Sequence, residues 1–215
     1  MLNLTKLEKE KILKYLYKNY QNINFDNIDK DDFFKKNTGL NFFEKEELLL
    51  AVSSLVFEDL DKNFLKETKS NINKITKTND KISFLLNKRF QLEARNKNLI
   101  KKIFIHLIRN NNSNKVLNYI YSVADIIWKI SSDRSVDFNY YTKRLILSSV
   151  YLKILILIFY RDNLTNKDIE LEIQKSLEHI KLVSQFKIKF NFLKNVKEFF
   201  SLFLFKKLVA VFKLF

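Results

Sequence analysis

The stretch DRSVDFNYYTKRLILSSVYLKILILIFY, residues 133–160, decides the fold of this 215-residue chain. A polar turn rich in tyrosine leads into residues 145–160, which are almost purely apolar and are broken only by Ser148, Ser149 and Lys153. A transmembrane helix needs about 20 apolar residues, and this run is shorter and contains a lysine. It therefore predicts a helix that is buried on all sides at the centre of a bundle.

The composition of the chain points to an all-α protein. It contains one Gly and no Pro, while 47% of its residues are hydrophobic. Sandwiches, barrels and doubly wound sheets need Gly and Pro in their turns, so this composition argues against these fold classes. Gly-rich phosphate-binding loops are excluded, because each such motif needs more than the one Gly present. The absence of Cys excludes disulfides, thiolate zinc sites and a Cys nucleophile.

Periodic apolar residues predict the other helices. We expect residues 110–114 and 161–167 to be loops, with Thr165 or Asn166 capping the helix that follows. Residues 61–80 are predicted to be helical with a frayed middle. The remaining predicted helices cover residues 6–20, 41–60, 82–109 (as one helix or a pair), 116–130, 167–183 and 186–215.

Positive charge is concentrated toward the end of the chain. The formal net charge is +15, and residues 181–215 carry eight Lys against one acidic residue, Glu198. The same segment is rich in Phe and Leu. A basic and strongly apolar segment favours an anionic membrane surface over nucleic acid as its partner.

The polar turn before the central helix carries candidate binding residues. Asp133, Asp137 and Asn139 are the types that cap exposed backbone amides at a helix start. Tyr140 and Tyr141 lie about 100° apart on a helix, so at least one of them should reach a surface or a cavity. Tyrosine beside arginine is also typical of interface hot spots.

Within this region, SVDFNYYTKR (residues 135–144), preceded by VADIIWKISSD and followed by LILSSVY, resembles the signature of the Coq-nine family. These are accessory, lipid-binding proteins of ubiquinone (coenzyme Q) biosynthesis. The resemblance implies a TetR-like helical bundle, a homodimer and a non-catalytic function without a cofactor. The chain departs from the family at Tyr140, where Trp is usual, at Ser132, where Gly is usual, and at Ser148–Ser149, where Ala-Gly is usual.

The resemblance also implies partners and site residues. The protein would take a polyisoprenoid quinone intermediate from the membrane and present it to the di-iron hydroxylase that acts late in ubiquinone synthesis. Arg144 is implied to meet a lipid phosphate, which its fork can bind bidentately. The predicted lipid contacts are Trp128, Tyr141, Arg144, Ser148, Ser149 and Tyr151, and the predicted hydroxylase contacts are Asp137, Asn139, Tyr140, Tyr141 and Arg144.

The apolar residues of 145–159 have two interpretations. They are either core, or one face of their helix lines an elongated pocket for an isoprenoid tail. The sequence leaves both open.

Residues 199–215, FFSLFLFKKLVAVFKLF, predict a membrane-binding helix. Each Lys opposes spanning, at about 2.5–3.5 kcal/mol at the bilayer centre, but Lys can extend toward headgroups from a helix lying in the interface. The alternative is a helix that docks on the body or on a dimer partner. The predicted membrane contacts are Phe199, Phe200, Phe203, Leu204, Lys206, Lys207, Phe212 and Lys213.

The N-terminal region resembles part of another family. The segment NFFEKEELLLAVSSLVFEDL, residues 41–60, is similar to the end of the DNA-binding unit of TetR-type regulators. The expected second and recognition helices are compressed into residues 26–40, where acidic side chains repel phosphates. No Arg precedes Arg89. We therefore expect a vestigial unit and no nucleic-acid partner; a ligand-sensing TetR-type regulator is the alternative function, and a membrane adaptor without a ligand is a third.

We expect no enzyme activity and no metal site, because His106 and His179 stand alone without a ligand or nucleophile pattern. Three regions are predicted: a degenerate N-terminal unit at 1–60, a lipid-binding bundle at 61–183 and a basic membrane-binding tail at 184–215. The expected location is the cytoplasm, peripheral on the inner face of the bacterial membrane. The mitochondrial matrix side is expected if the source is eukaryotic.

Overall fold

A computed structural model describes residues 4–36, 44–133 and 137–186. In these ranges the chain forms eight α-helices and two short 3-10 segments, and it contains no strand. The predicted all-α fold is confirmed and is consistent with a TetR-like helical bundle. The helices are α1 Lys6–Asn19, α2 Asp32–Lys36, α3 Lys45–Thr68, α4 Thr78–Arg95, α5 Lys97–Arg109, α6 Ser113–Ile130, α7 Asp137–Tyr160 and α8 Asn166–Phe186.

The chain divides into two compact units. Unit 1 is formed from Met1–Asn63 and Asn96–Val116, and unit 2 from Phe64–Arg95 and Leu117–Phe215. Helices α3 and α6 each contribute residues to both units. The functional boundaries expected at residues 60 and 183 are not tested by this division and stay predictions.

Unit 1 begins with a capped helix. The Thr5 hydroxyl accepts a hydrogen bond from the backbone N–H of Glu8 at 3.3 Å, and the Glu8 carboxylate accepts one from the Thr5 N–H at 2.7 Å. This reciprocal capping satisfies two amides at the helix start. After α1, the 3-10 segment Phe25–Lys30 and the five-residue α2 occupy the acidic region in which the compressed second and recognition helices were expected.

Helix α5 stabilises this irregular region through two basic side chains. The Lys102 ammonium donates to the carbonyls of Tyr20 and Ile23 at 3.0 and 2.9 Å. The His106 ring packs on Phe25, with 5.6 Å between ring centroids, and its Nδ1 lies 2.9 Å from a carboxylate oxygen of Asp26. Burial lowers the pKa of His106, although Asp26 opposes this shift. These contacts give His106 a structural role.

Unit 2 is organised around α7, which packs against α4 and α8. Most of the apolar residues of α7 are buried, but the prediction that the helix is buried on all sides is wrong. One face is only half-buried and includes Ile146, Ser149 and Leu157, and Lys153 on that face is exposed. Its ammonium reaches the Ser176 hydroxyl of α8 at 3.1 Å and the Glu172 carboxylate at 3.4 Å. The hydroxyls of Ser148 and Ser149 donate to carbonyls of their own helix, at 2.8 and 2.7 Å.

The structure also fixes the ends of several predicted helices. The predicted segment 82–109 is a pair, α4 and α5, and the stretch 61–80 contains the end of α3, a 3-10 turn at Ile72–Lys74 and the start of α4. Thr165 caps α8, because its hydroxyl accepts from the Asp168 N–H at 3.2 Å while the Asp168 carboxylate accepts from the Thr165 N–H at 2.9 Å. No helix in the described ranges is long and apolar enough to cross a membrane.

The core of unit 2 contains a polar group of four side chains, Arg89, Glu93, Tyr119 and Tyr151, which we call the Glu93 cluster. Arg89 and Glu93 are fully buried, and Arg89 Nε donates to Glu93 Oε1 at 2.9 Å. The hydroxyls of Tyr119, at 2.8 Å, and Tyr151 donate to the same oxygen. Burial raises the pKa of Glu93 against the opposing effect of these partners. Such a pair needs both members, because a single buried charge is very costly.

We predict that Glu93→Ala destabilises the protein by about 3–5 kcal/mol, because the Arg89 guanidinium is left as an uncompensated buried charge. Glu67→Ala is the matched control, since Glu67 meets Arg95 at 3.4 Å in a largely exposed pair and should cost at most about 1 kcal/mol. Urea unfolding followed by circular dichroism measures both. Equal losses of unfolding free energy in the two variants would contradict the role of Glu93 as the counter-ion of the buried Arg89.

Candidate functional site

The candidate site lies where the end of α6 meets the start of α7. Helix α6 supplies Asp125 and Lys129, which are one turn apart and therefore share a face. Helix α7 supplies Tyr140 and Arg144 with the same spacing. Asp133 lies in the connection, just after Ser132, whose φ of 63° places it in the left-handed region. We use the name Arg144 cluster for a group of seven residues: Asp125, Trp128, Lys129, Asp133, Tyr140, Lys143 and Arg144.

Arg144 is the centre of this cluster and is only 2% exposed. Its Nε donates to the Asp125 carboxylate at 2.6 Å, and its Nη1 donates to the Tyr140 carbonyl at 3.0 Å and to the Asp133 carboxylate at 3.4 Å. The guanidinium carbon lies 3.3 Å from the centroid of the Tyr140 ring. The arginine is therefore held by charge, hydrogen bonds and aromatic stacking at once.

Lys143 forms a second set of contacts beside Arg144. Its ammonium lies 2.8 Å from Asp133 and 5.1 Å from the centroid of the Trp128 ring. The Trp128 indole N–H donates to the Lys143 carbonyl at 3.1 Å. Trp128 thus contacts Lys143 twice, through its ring and through its indole N–H.

The cluster keeps Asp125 ionised. Burial alone would raise the pKa of Asp125, but hydrogen bonds from Lys129, Arg144 and Tyr140 outweigh it and lower the pKa below its usual value. Burial opposes the charge on Arg144 too, yet its hydrogen bond to Asp125 leaves the pKa of Arg144 raised. With three cations and two carboxylates, the cluster has a net positive formal charge.

The two adjacent tyrosines face different surroundings, as the helical geometry predicted. The Tyr140 hydroxyl donates to Asp125 at 3.1 Å, and its ring covers Arg144. Tyr141 is 59% exposed and packs edge-to-face on Tyr140, with 5.2 Å between centroids. An exposed aromatic ring supported by a rigid cluster has the character of a contact residue at an interface.

The other predicted site residues are distributed differently. Ser148, Ser149 and Tyr151 follow the cluster along α7, and their hydroxyls bond to groups of unit 2, in the case of Tyr151 to Glu93. Asp137 and Asn139 begin α7, but their side chains lie outside the described residues, as do residues 187–215 with all eight predicted membrane contacts. Whether any of these residues contacts a lipid, a partner or a membrane stays a prediction.

Sequence reasoning missed three members of the cluster. Asp125, Lys129 and Lys143 were not assigned a role, although Asp125 and Lys129 have the four-residue spacing of a helical ion pair, which is observed at 2.7 Å. The contact between Asp125 and Arg144 joins two helices, so no local spacing signals it. Among the described residues, no group of three or more His, Cys, Asp or Glu could hold a metal ion.

We predict that Asp125→Asn lowers the free energy of unfolding at pH 7 by about 1.5–3 kcal/mol, the range for a hydrogen bond to a charged group. The folded-state pKa of Asp125 is lowered, so its carboxylate stabilises the protein above the unfolded pKa of about 3.9, and this stabilisation is lost as the pH falls through the folded value. The difference between wild type and variant should therefore shrink from pH 7 to pH 3.

Urea unfolding at several pH values measures this difference. Glu170→Gln, which removes an exposed carboxylate of α8, controls for the change in net charge. A difference between wild type and Asp125→Asn that stays constant down to pH 3 would refute the role of the ionised carboxylate.

Comparison with known proteins finds one family model that matches the region of the site. The family model described as COQ9 matches residues 113–183, which cover α6, α7 and most of α8 and include the whole Arg144 cluster. No curated protein and no solved structure matches the chain. The match confirms the resemblance found in the sequence, and it supports a role in ubiquinone biosynthesis.

Proposed function

We propose, because residues 113–183 match the COQ9 family model, that this protein is a non-catalytic carrier in ubiquinone biosynthesis. It takes a polyisoprenoid quinone intermediate from the membrane and presents it to the demethoxyubiquinone hydroxylase. The observation that carries the proposal is the coincidence of the family match with the Arg144 cluster and the exposed Tyr141 ring.

The basic part of the cluster supports an anionic lipid headgroup as ligand. A guanidinium offers parallel N–H donors that fit two oxygens of one phosphate. Arg144 is held at the first turns of α7, immediately before the apolar part of that helix. A lipid whose head is bound there would leave its acyl or isoprenoid chain beside apolar surface, which lowers the cost of taking the chain out of the bilayer.

The exposed face of the same cluster supports docking of the hydroxylase. Tyr141 offers a large ring with few rotatable bonds, and the backbone beneath it is fixed by the hydrogen bonds of Tyr140 and Arg144. A rigid aromatic anchor loses little conformational entropy on binding. The hydroxylase supplies the chemistry, and the carrier supplies access to the substrate.

The membrane step is assigned to residues 199–215 on the basis of their sequence. Three lysines, Lys206, Lys207 and Lys213, lie there among aromatic and aliphatic side chains. Apolar burial and attraction to anionic headgroups act together in such a helix. In this proposal a homodimer is the working unit, peripheral on the inner face of the membrane.

We predict that the full chain, purified without detergent, carries a polyprenyl quinone or a precursor that native mass spectrometry with lipid extraction detects. Arg144→Gln should lose most of this lipid, because the guanidinium that would donate hydrogen bonds to the oxygens of its head is gone. Arg161→Gln is the matched control, since Arg161 is an exposed arginine just after α7, and it should retain the lipid. Circular dichroism checks that both variants fold.

Three outcomes would count against this prediction in different ways. Phospholipid without any quinone would contradict the substrate. Equal lipid content in Arg144→Gln and wild type would contradict the assignment of Arg144. A lipid-free protein that retards DNA in a gel with steep salt dependence would favour a TetR-type regulator.

We predict that replacing Phe200, Phe203 and Phe212 together by Asp abolishes co-sedimentation with liposomes of phosphatidylglycerol and phosphatidylcholine, because it removes apolar surface and adds negative charge. The control replaces the same three residues by Leu, which keeps the apolar surface and should keep binding. Unchanged binding of the Asp variant would exclude this segment as the membrane contact.

A further inference from the structure

Unit 1 contains an open cavity of about 360 Å³ between the end of α1 and the N-terminal half of α5. Its α5 residues follow the spacing of one helix face. The cavity is lined by Tyr20, Gln21, Asn98, Lys101, Lys102 and Ile105. All six residues belong to unit 1 and lie outside residues 113–183, which match the COQ9 family model. What this cavity binds is therefore independent of the proposed carrier function.

The Tyr20 hydroxyl is a hydrogen-bond donor to this cavity. It accepts two long hydrogen bonds, from Gln21 Nε2 at 3.3 Å and from Asn98 Nδ2 at 3.4 Å. A phenol has two acceptor positions and one proton to donate, and in the described part of the chain this proton is donated to no other residue. Hydrogen bonds from Asn98 and Gln21, with the charge of Lys102, lower the pKa of Tyr20. The O–H is thus polarised toward donation.

The lining also carries positive charge. The Lys102 ammonium is fixed by the carbonyls of Tyr20, at 3.0 Å, and Ile23, at 2.9 Å, and Lys101 adds a second cation. None of the six lining residues is acidic. Asp26 acts on Lys102 electrostatically, but it pairs with His106 Nδ1 at 2.9 Å and is not part of the lining. These charges favour an anionic ligand.

The walls of the cavity are largely apolar. Ile105 and the ring of Tyr20 contribute apolar surface, and the two lysines contribute their aliphatic stems. Binding sites for small molecules generally have volumes of about 300–1,000 Å³, so this cavity has room for one small molecule. An anion that fills it needs an apolar body beside its charged group.

We propose that this cavity binds a small monocarboxylate with an aliphatic body. The carboxylate accepts from the Tyr20 hydroxyl and lies close to the lysine charges, while the aliphatic part packs on Ile105. Phosphate sites generally use arginine forks or nests of backbone N–H groups, and the lining contains no arginine. One phenol, two side-chain amides and lysine ammonium groups suit a singly charged anion better.

The test titrates the full-length protein with trifluorobutyrate at pH 7 and follows the fluorine NMR signal of this probe. Binding to wild type should broaden and shift the signal in a saturable way. Trifluorobutanol has the same apolar body with a hydroxyl in place of the carboxylate, and it should bind at least about tenfold more weakly. Inorganic phosphate, which has no apolar body, should not displace the probe at equal concentration.

Two variants test the residues of the cavity. Tyr20→Phe keeps the ring and removes the O–H, so binding should weaken about tenfold, which corresponds to 1.4 kcal/mol. Asn98→Asp has the same shape and places a negative charge in the lining, so it should weaken binding by at least the same factor.

Asn114→Asp is the matched control, because Asn98 and Asn114 are each the second residue of their helices, α5 and α6. Asn114 is exposed and does not line the cavity, so this variant should stay within about twofold of wild type. An acidic residue in the first turn of a helix is favourable to that helix, and thermal unfolding confirms that every variant is folded.

Each contrary result has its own meaning. Equal binding of trifluorobutanol would overturn the assignment to a carboxylate, and displacement by inorganic phosphate would show a phosphate site instead. Unchanged binding in both Tyr20→Phe and Asn98→Asp would place the probe elsewhere on the protein, and a wild type that does not bind the probe would refute the proposal. None of these results bears on the quinone carrier, which lipid extraction tests separately.

Discussion

Apolar side chains cover most of the circumference of helix α7, and the packing of unit 2 buries most of them away from water. Burial of apolar surface contributes about 25 cal/mol for each Å², so a helix of this composition is stable only when other helices surround it. Helices α4 and α8 pack against it for that reason. Because the surroundings of α7 are apolar, every polar group that this helix brings into the interior needs a hydrogen-bond partner there.

Each of those polar groups has a partner. Ser148 donates to the carbonyl of Arg144 in the preceding turn, and the hydroxyl of Tyr151 is directed to Glu93, which Arg89 also contacts. Arg144, at the start of the buried part of the helix, has two carboxylates and an aromatic ring. Buried polar groups without partners cost more than their hydrogen bonds return, so α7 can adopt only the position in which all these partners are reached.

The two polar clusters of unit 2 differ in what they can do. The Glu93 cluster is enclosed by the core, and its members hydrogen-bond to one another. The Arg144 cluster lies where α7 emerges from the core, so Tyr141 and Lys129 reach solvent while Arg144 stays covered. The COQ9 match spans this second cluster together with the apolar part of α7. Arg144 therefore lies at the junction between this polar cluster and the apolar part of α7.

The sequence by itself determined the helical class, the burial of most apolar residues of α7, a cap at either Thr165 or Asn166, the different surroundings of Tyr140 and Tyr141, and the family resemblance. These follow from local rules: composition, periodicity, capping and the angle between neighbouring residues on a helix. Only the tertiary structure decided that Asp125 meets Arg144, that Tyr151 meets Glu93 and that Lys102 reaches the carbonyl of Ile23. Periodicity tells which face of a helix is buried, but the partner across that face depends on how the helices pack, and that is settled by the whole core at once.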